Sequence, residues 1–383
     1  MDRYPGAVSQ EIEIGRGKRG RRAYTLDDIA IVPARRTRDP RDVDLSWQID
    51  AYRFDLPFIA APMDSVMSPR TAIELGRLGG LGVLDLEGLW TRYEDPQPLL
   101  DEIAGLDAAS ATVRMQEIYV APIQPELITA RLGEIREAGV TVAGALTPAR
   151  TQEHWRTVVE AGCDLFVIRG NTVSAEHVSS AEEPLNLKQF IYELDVPVIV
   201  GGVASYTPAL HLMRAGAAGV LVGFGGGASS TTRRALGINV PMATALADIH
   251  AARRDYMDES GGRYVHVIAD GGLGDSGSIV KAFAMGADAV MLGAALARAD
   301  EAPGRGSHWG AEAHHLQLPR GRKVELGSVG PLEQLLFGPG HTALGEVNIA
   351  GALRRSMSTA GYLELKEFQR VDVVVTPQTA PEI

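Results

Sequence analysis

One hydrophobic pattern repeats along the chain. An amphipathic stretch ends in glycine, and a short apolar run follows. Ala138-Gly139, Ala161-Gly162, Ala215-Gly216 and Met285-Gly286 end four such stretches, and the apolar runs behind them are 140–146, 164–168, 219–222 and 288–292. Glycine in that place reads as the left-handed stop of a helix. The run behind it reads as a strand buried on both faces. Runs at 57–61, 81–84, 196–200 and 264–269 fit the same grammar, and 68–78, 151–161, 207–215 and 276–285 read as helices. Eight strand–helix units over about 250 residues predict an α/β protein, a (β/α)8 TIM barrel. A doubly wound sheet is the alternative, but it seldom runs to eight consecutive units.

Three regions stand outside the repeat, all within a single barrel domain over 1–383. Residues 1–56 form an N-terminal extension. Residues 86–137 form an excursion punctuated by Pro96, Pro98, Pro122 and Pro125. Residues 302–345 are rich in glycine, proline and histidine and read as a flap-like insertion, either a functional flap or a partly disordered lid. The basic run 15–22, GRGKRGRR, reads as a solvated, mobile arm rather than a polyanion contact.

Composition narrows the partners. The chain has 383 residues, 48 acidic and 37 basic, for a net charge of -11. That balance argues against nucleic acid or an anionic membrane as the partner. No apolar stretch reaches the length of a membrane span and the start lacks a signal peptide, so a cytoplasmic location is expected. Cys163 is the single cysteine, which excludes a disulfide framework and a multi-cysteine metal site. It lies before strand four, at the stability face of a barrel, and reads as structural. His266, inside a strand, reads as core. His308, His314 and His315 match no metal spacing.

In this fold the site lies where strands end. Met63, Asp64 and Ser65 follow strand one, Arg169 and Asn171 strand four, and Gly201 and Gly202 strand five. Residues 223–233 follow strand six, 270–274 strand seven, and Gly293 and Ala294 strand eight. Gly271, Gly272, Gly274 and Gly293 offer bare backbone N–H groups to a phosphate. Asp270 repels phosphate and suits paired ribose hydroxyls. A nucleotide or sugar phosphate is the ligand this suggests, against a reading of the glycines as plain turns. The loop VGFGGGASSTTR (222–233) suits either a monovalent cation, held by carbonyls, or a phosphate.

Several segments resemble the IMP dehydrogenase/GMP reductase family. They are YTLDDIAIVPARRTRDPRDVDLS (24–46), LPFIAAPMDSVMSPRTAIELGRLGGLGVL (56–84), VGFGGGASSTTR, ADGGLGDSGSIVKAFAMGADAVMLG (269–293) and NIAGALRRSMSTAGYLELKEF (348–368). The resemblance spans nearly the whole chain. It implies a (β/α)8 barrel, a homotetramer, a purine nucleoside monophosphate (IMP, XMP or GMP) and NAD, with NADP as the alternative. Residues 86–137 are too short for the pair of CBS modules many members carry there, so the chain resembles a CBS-less branch. By the resemblance, Asp270 holds the ribose, Gly272 and Gly293 touch the phosphate, Met63 touches the purine, and Ala294 belongs to the same substrate-binding set. Arg169 and Asn171 lie at the nicotinamide. Gly223, Gly225 and Ser230 offer carbonyls to potassium, and Thr232 handles water.

The departures concentrate at the chemistry. The family's nucleophilic cysteine falls on Ser230, its loop serine for phosphate on Ala228, and its aspartate after strand four on Arg169. The flap's arginine–tyrosine base has no counterpart in 304–326. The reductase's flap glutamate falls on Arg320, and Trp309 stands for the phosphate-binding tyrosine. A serine hydroxyl without a base is a far poorer nucleophile than a thiol. The expected function is an IMP dehydrogenase-like oxidoreductase, IMP to XMP with NAD, using Ser230 or water placed by Thr232. The alternatives are a non-catalytic purine-monophosphate-binding regulatory protein and a GMP reductase-like enzyme.

Overall fold

The computed structural model describes residues 11–170, 173–174 and 185–376. Eight parallel strands close into a barrel. In chain order they are Phe58–Ala60, Leu81–Asp85, Ala143–Leu146, Leu165–Arg169, Val198–Val203, Gly219–Val222, His266–Asp270 and Ala289–Leu292. Strand eight closes on strand one through Val290–Phe58, Met291–Ile59 and Leu292–Ala60. Their apolar residues are almost all buried, because helices cover the outside and side chains fill the inside. The four glycines of the repeat have φ of 75° at Gly139, 83° at Gly162, 108° at Gly216 and 111° at Gly286. Only glycine takes that conformation without strain, so each stops a helix and releases the next strand.

The helices match with small shifts. Ser68 caps Pro69–Arg77. The helix expected at 151–161 begins earlier, as Pro148–Glu160, because Thr147 caps it and Pro148 fits the first turn. Strands four and seven run one residue past their apolar runs and end on Arg169 and Asp270. The ladder carries these charged residues, pairing Arg169 with Gly201 and Asp270 with Met291. Both are thereby delivered to the mouth.

The N-terminal extension closes the opposite end. The hairpin Trp47–Ile49 and Tyr52–Phe54 lies there, with Trp47 edge-on to His266 at 5.7 Å. His266 is half-buried rather than core, packed edge-on between Trp47 and Tyr264 and lining a cavity at that end. The basic run is solvated, as expected, and lies in a two-stranded ribbon. It forms the hairpin Glu11–Gly15 with Lys18–Arg21, and Arg21 pairs with Asp248.

Residues 86–137 hold the helices Gln97–Gly105, Ala108–Ile118 and Pro125–Glu137. The first two carry a small apolar cluster of their own, which also takes in Trp309 and Ala313 of the flap. The flap is folded, contrary to a partly disordered lid. It contains the ribbon Ser307–His308 with Val324–Glu325, the turn Ala311–His314 and the helix Leu332–Phe337. Buried anchors supply the order that its sequence, without periodicity, does not advertise. Among the described residues no helix is long and apolar enough to cross a membrane.

Candidate active site at the barrel mouth

A cavity of about 260 Å³ opens where the strands end. Met63, Arg169, Gly223, Gly225, Ser230, Thr232, Asp270, Gly272, Gly293 and Ala294 all line it. Asn171 lies outside the described residues. His308 and Glu312, from the flap, complete the wall.

At Gly271 backbone meets backbone, and at Gly293 it meets side chains. A Cβ on Gly271 would lie 3.4 Å from the Gly227 nitrogen, and one on Gly293 would lie 3.3 Å from the Met63 sulfur. The loops after strands six and seven therefore approach one another backbone to backbone, while Gly293 after strand eight packs against the Met63 and His308 side chains. A Cβ on Gly202 would lie 2.5 Å from the Gly223 carbonyl oxygen, so that oxygen faces strand five. On the outer side of the same loop lies a second cavity, of about 380 Å³, lined by Arg233, Arg234 and Arg322.

The flap fixes the loop that carries Ser230. The Thr231 N–H donates to the Arg320 carbonyl at 2.6 Å, and the Arg322 N–H donates to the Ser229 carbonyl at 2.8 Å. Arg320 thus acts on the loop through its backbone. The Ser230 hydroxyl oxygen accepts from the Thr232 N–H at 3.3 Å. No imidazole or carboxylate among the described residues bonds to it, so nothing there draws off its proton.

Asp270 meets Arg169, Nε to Oδ2, at 3.5 Å. Burial raises the Asp270 carboxyl above its ordinary value. Arg169 opposes that without cancelling it, and Glu312 adds to it. Burial alone would lower Arg169, but Asp270, Glu312 and Asp85 outweigh it and raise the guanidinium. Among the described residues, two carboxylates, Asp270 and Glu312, thus share the cavity with one guanidinium. Glu312 escaped the sequence reading because it lies in a short turn of the flap, where no period or motif marks it.

Behind the wall is a buried polar network. The Asp64 carboxylate accepts from the Leu89 N–H at 2.8 Å and the Tyr119 hydroxyl at 2.6 Å. Burial pushes it up to about 6 all the same. Burial also holds Asp85 well above the carboxylate range, with Asp64 and Glu87 adding to the effect. Trp309 belongs to this network and not to the cavity. Its indole N–H donates to Tyr119 at 3.3 Å, and the ring is 1% exposed within the flap's apolar cluster. A phosphate-binding role for Trp309 is corrected on that ground, since the indole is turned away from any ligand. His314 stacks on Tyr119 at 4.2 Å. The His315 ring accepts from the Gln317 and Leu318 N–H groups. Cys163 is buried below strand four, and burial pushes its thiol up to about 12.

Residues 23–321 match the model of the IMP dehydrogenase / GMP reductase domain. The chain is 53% identical over 372 residues to a Mycolicibacterium smegmatis protein described as an uncharacterized oxidoreductase, covering 95% of this chain and 99% of the relative. It is 26% identical to the inosine-5'-monophosphate dehydrogenase of Methanocaldococcus jannaschii, over 93% of each chain. A crystal structure of an IMP dehydrogenase/GMP reductase-like protein from Corynebacterium glutamicum superimposes with a TM-score of 0.91 at 49% identity, covering 96% of this chain and 98% of that one. Motifs, closed barrel and matches agree, and the chain belongs to the IMP dehydrogenase/GMP reductase family.

Proposed function

We propose that the protein is a purine-nucleoside-monophosphate oxidoreductase that converts IMP to XMP without a covalent enzyme–purine adduct. The observation that carries this reading is one cavity holding two carboxylates, Asp270 and Glu312, beside Thr232, while Ser230 has no base among the described residues. Asp270 serves the ribose hydroxyls. Backbone N–H groups of Gly272, Gly293 and Ala294 serve the phosphate, and Met63 packs on the purine. The balance is IMP + H2O + NAD+ → XMP + NADH + H+. Thr232 places the water, and Glu312 takes its proton as oxygen bonds to C2. The cavity suits an oxidised nicotinamide in charge, because among its described residues the carboxylates outnumber the guanidinium. NAD, when bound, accepts the hydride that leaves C2. Dispensing with the thiol costs rate, on the order of several powers of ten. Potassium on the loop carbonyls of Gly225 and Ser230, and a homotetramer, belong to the same proposal. NADP in place of NAD and the GMP reductase direction are its variants, and the latter lacks the same thiol.

A second reading is non-catalytic purine-monophosphate binding with a regulatory role. The Arg169–Asp270 pair favours it, because the guanidinium competes for the carboxylate that the ribose needs. Nicotinamide absorbance during incubation with IMP and NAD separates the two. Turnover by the native chain supports the first. Silence from the native chain, with turnover in Ser230→Cys, supports a competent pocket lacking only its nucleophile. Silence from both, with IMP bound in calorimetry, supports the second.

A further inference from the structure

The Ser65 hydroxyl has three neighbours. The Trp309 carbonyl lies at 2.9 Å, the Trp309 N–H at 3.2 Å and the His308 Nδ1 at 3.2 Å. A hydroxyl has one hydrogen and two lone pairs. The carbonyl can only accept, and no other donor among the described residues reaches it. The hydroxyl hydrogen therefore goes to the carbonyl. Ser65 must then accept from both remaining neighbours, so His308 carries its proton on Nδ1. Turning that hydrogen to Nδ1 instead would leave a buried carbonyl without a partner, which is costly.

Counting thus fixes the ring as the Nδ1–H tautomer, with a lone pair on Nε2. That nitrogen faces the cavity, 3.5 Å from where a Cβ of Gly293 would stand. None of the described residues bonds to it. Burial, then Arg169, lowers His308 to about 4, so the ring stays neutral near neutral pH. Among the described residues, Arg169 from strand four, Asp270 from strand seven and Glu312 from the flap are the charged groups that share its cavity. The contacts from strands one and eight, Met63 and Gly293, are uncharged.

A phosphate at Gly293 and Ala294 therefore meets an acceptor where a donor would be expected. Ala228 and Ala294 supply no hydroxyl to offset this. Against Nε2 a dianion offers only acceptors, whereas a monoanion has an O–H to give. Resting on the reading that the site takes a purine nucleoside monophosphate, we propose that His308 is its specificity residue. Nε2 accepts a hydrogen bond from the phosphate O–H, so the nucleotide is bound as its monoanion. Ser65 is the positioning residue that fixes the tautomer.

The test is calorimetric titration of the full-length protein with IMP and with inosine, between about pH 5 and about pH 8. The second ionisation of a phosphate monoester lies near 6. IMP affinity is expected to fall above that value, approaching about tenfold per pH unit. Inosine, which has no phosphate, reports any titration of Asp270, Glu312 or Asp64 and is expected to lack this fall. Ser65→Ala lets the ring present Nε2–H, so the IMP slope should flatten. A merely structural role would weaken binding and leave the slope alone. Nitrogen-15 spectra of the histidine rings read the tautomer without ligand. An Nε2–H ring, or IMP affinity level or rising from pH 6 to 8, overturns the proposal. Failure of both IMP and inosine to bind at every pH overturns the parent reading, and the phosphate assignment with it.

Discussion

Two arginine–aspartate pairs sit at opposite ends of the barrel and are built in opposite ways. At the closed end, Asp288 receives Arg253 and the Tyr264 hydroxyl at 2.5 Å, the Val267 N–H at 2.8 Å and the Gln369 amide at 2.9 Å. At the mouth, Asp270 has Arg169 at 3.5 Å. Burial would raise Asp288, but Arg253, His266, Tyr264 and the Val267 N–H outweigh it and hold its carboxyl low. Burial wins at Asp270, which is raised. The closed end is saturated with donors and holds the fold. Among the described residues the mouth leaves its carboxylate short of donors, the condition in which a ligand adds most.

The sharpest way to break this comparison is to remove each aspartate in turn. Asp288→Ala strands Arg253, which is 3% exposed, and should cost about 3–5 kcal/mol in denaturant unfolding. Asp270→Ala leaves Arg169 with Glu312 and Asp85 nearby and should cost less than about 1 kcal/mol. Equal losses would mean that the two ends do not differ in purpose. The pH dependence has a definite sign. Asp288 is depressed in the fold, so its contribution is full above the ordinary carboxylate pKa. It is lost as pH falls through the folded value.

The next test reads binding in place of stability. Asp270→Asn keeps the shape and removes the charge. If Asp270 holds the ribose hydroxyls, inosine and IMP should bind about 10- to 100-fold more weakly, the range expected for hydrogen bonds to a charged group. The melting temperature should hardly move. Asp288→Asn should do the reverse. Calorimetric titration and thermal unfolding of both variants check the pair.

A smaller effect is expected behind the wall. Asp64 titrates at about 6 against an ordinary 3.8. Between those values the folded chain holds the proton and the unfolded chain does not. Its contribution is therefore full below the unfolded value and is lost as pH rises through about 6. Asp64→Asn should make unfolding stability less dependent on pH over that window, in urea titrations at stepped pH. The flattening is partial, because Asp85 is raised in the same sense. An unchanged profile would remove Asp64 from the account.

The barrel was legible because its strands are buried on both faces and its helices stop on left-handed glycines. Those signals are local and depend on few residues. The mouth was legible only where it is backbone, at Gly271, Gly272 and Gly293. Its charges were not. Arg169 and Asp270 read as separate ligand contacts, since nothing in the sequence shows that strands four and seven aim their last side chains at one another. Glu312, His308 and Trp309 sit in a flap without period. Tertiary anchors sort them, two facing the cavity and one packing away from it. Trp309 shows the limit of carrying a role across by position, because a ring in the right place along the chain points the wrong way in space.

Cys163 gives the mildest test of the same contrast. It lies at the closed end, 3% exposed, with its thiol near the carbonyls of Val142 and Leu165. Burial holds it to about 12, so almost no thiolate forms at neutral pH. A thiol reagent should therefore modify the native chain only as fast as the chain opens, and fully once it is denatured. Cys163→Ala removes a small buried sulfur and should cost about 1 kcal/mol. It should leave the binding of IMP and inosine untouched, because the mouth is at the far end of strand four. A loss of binding in this variant would mean that the two ends are coupled through that strand, and the division of labour between them would have to be redrawn.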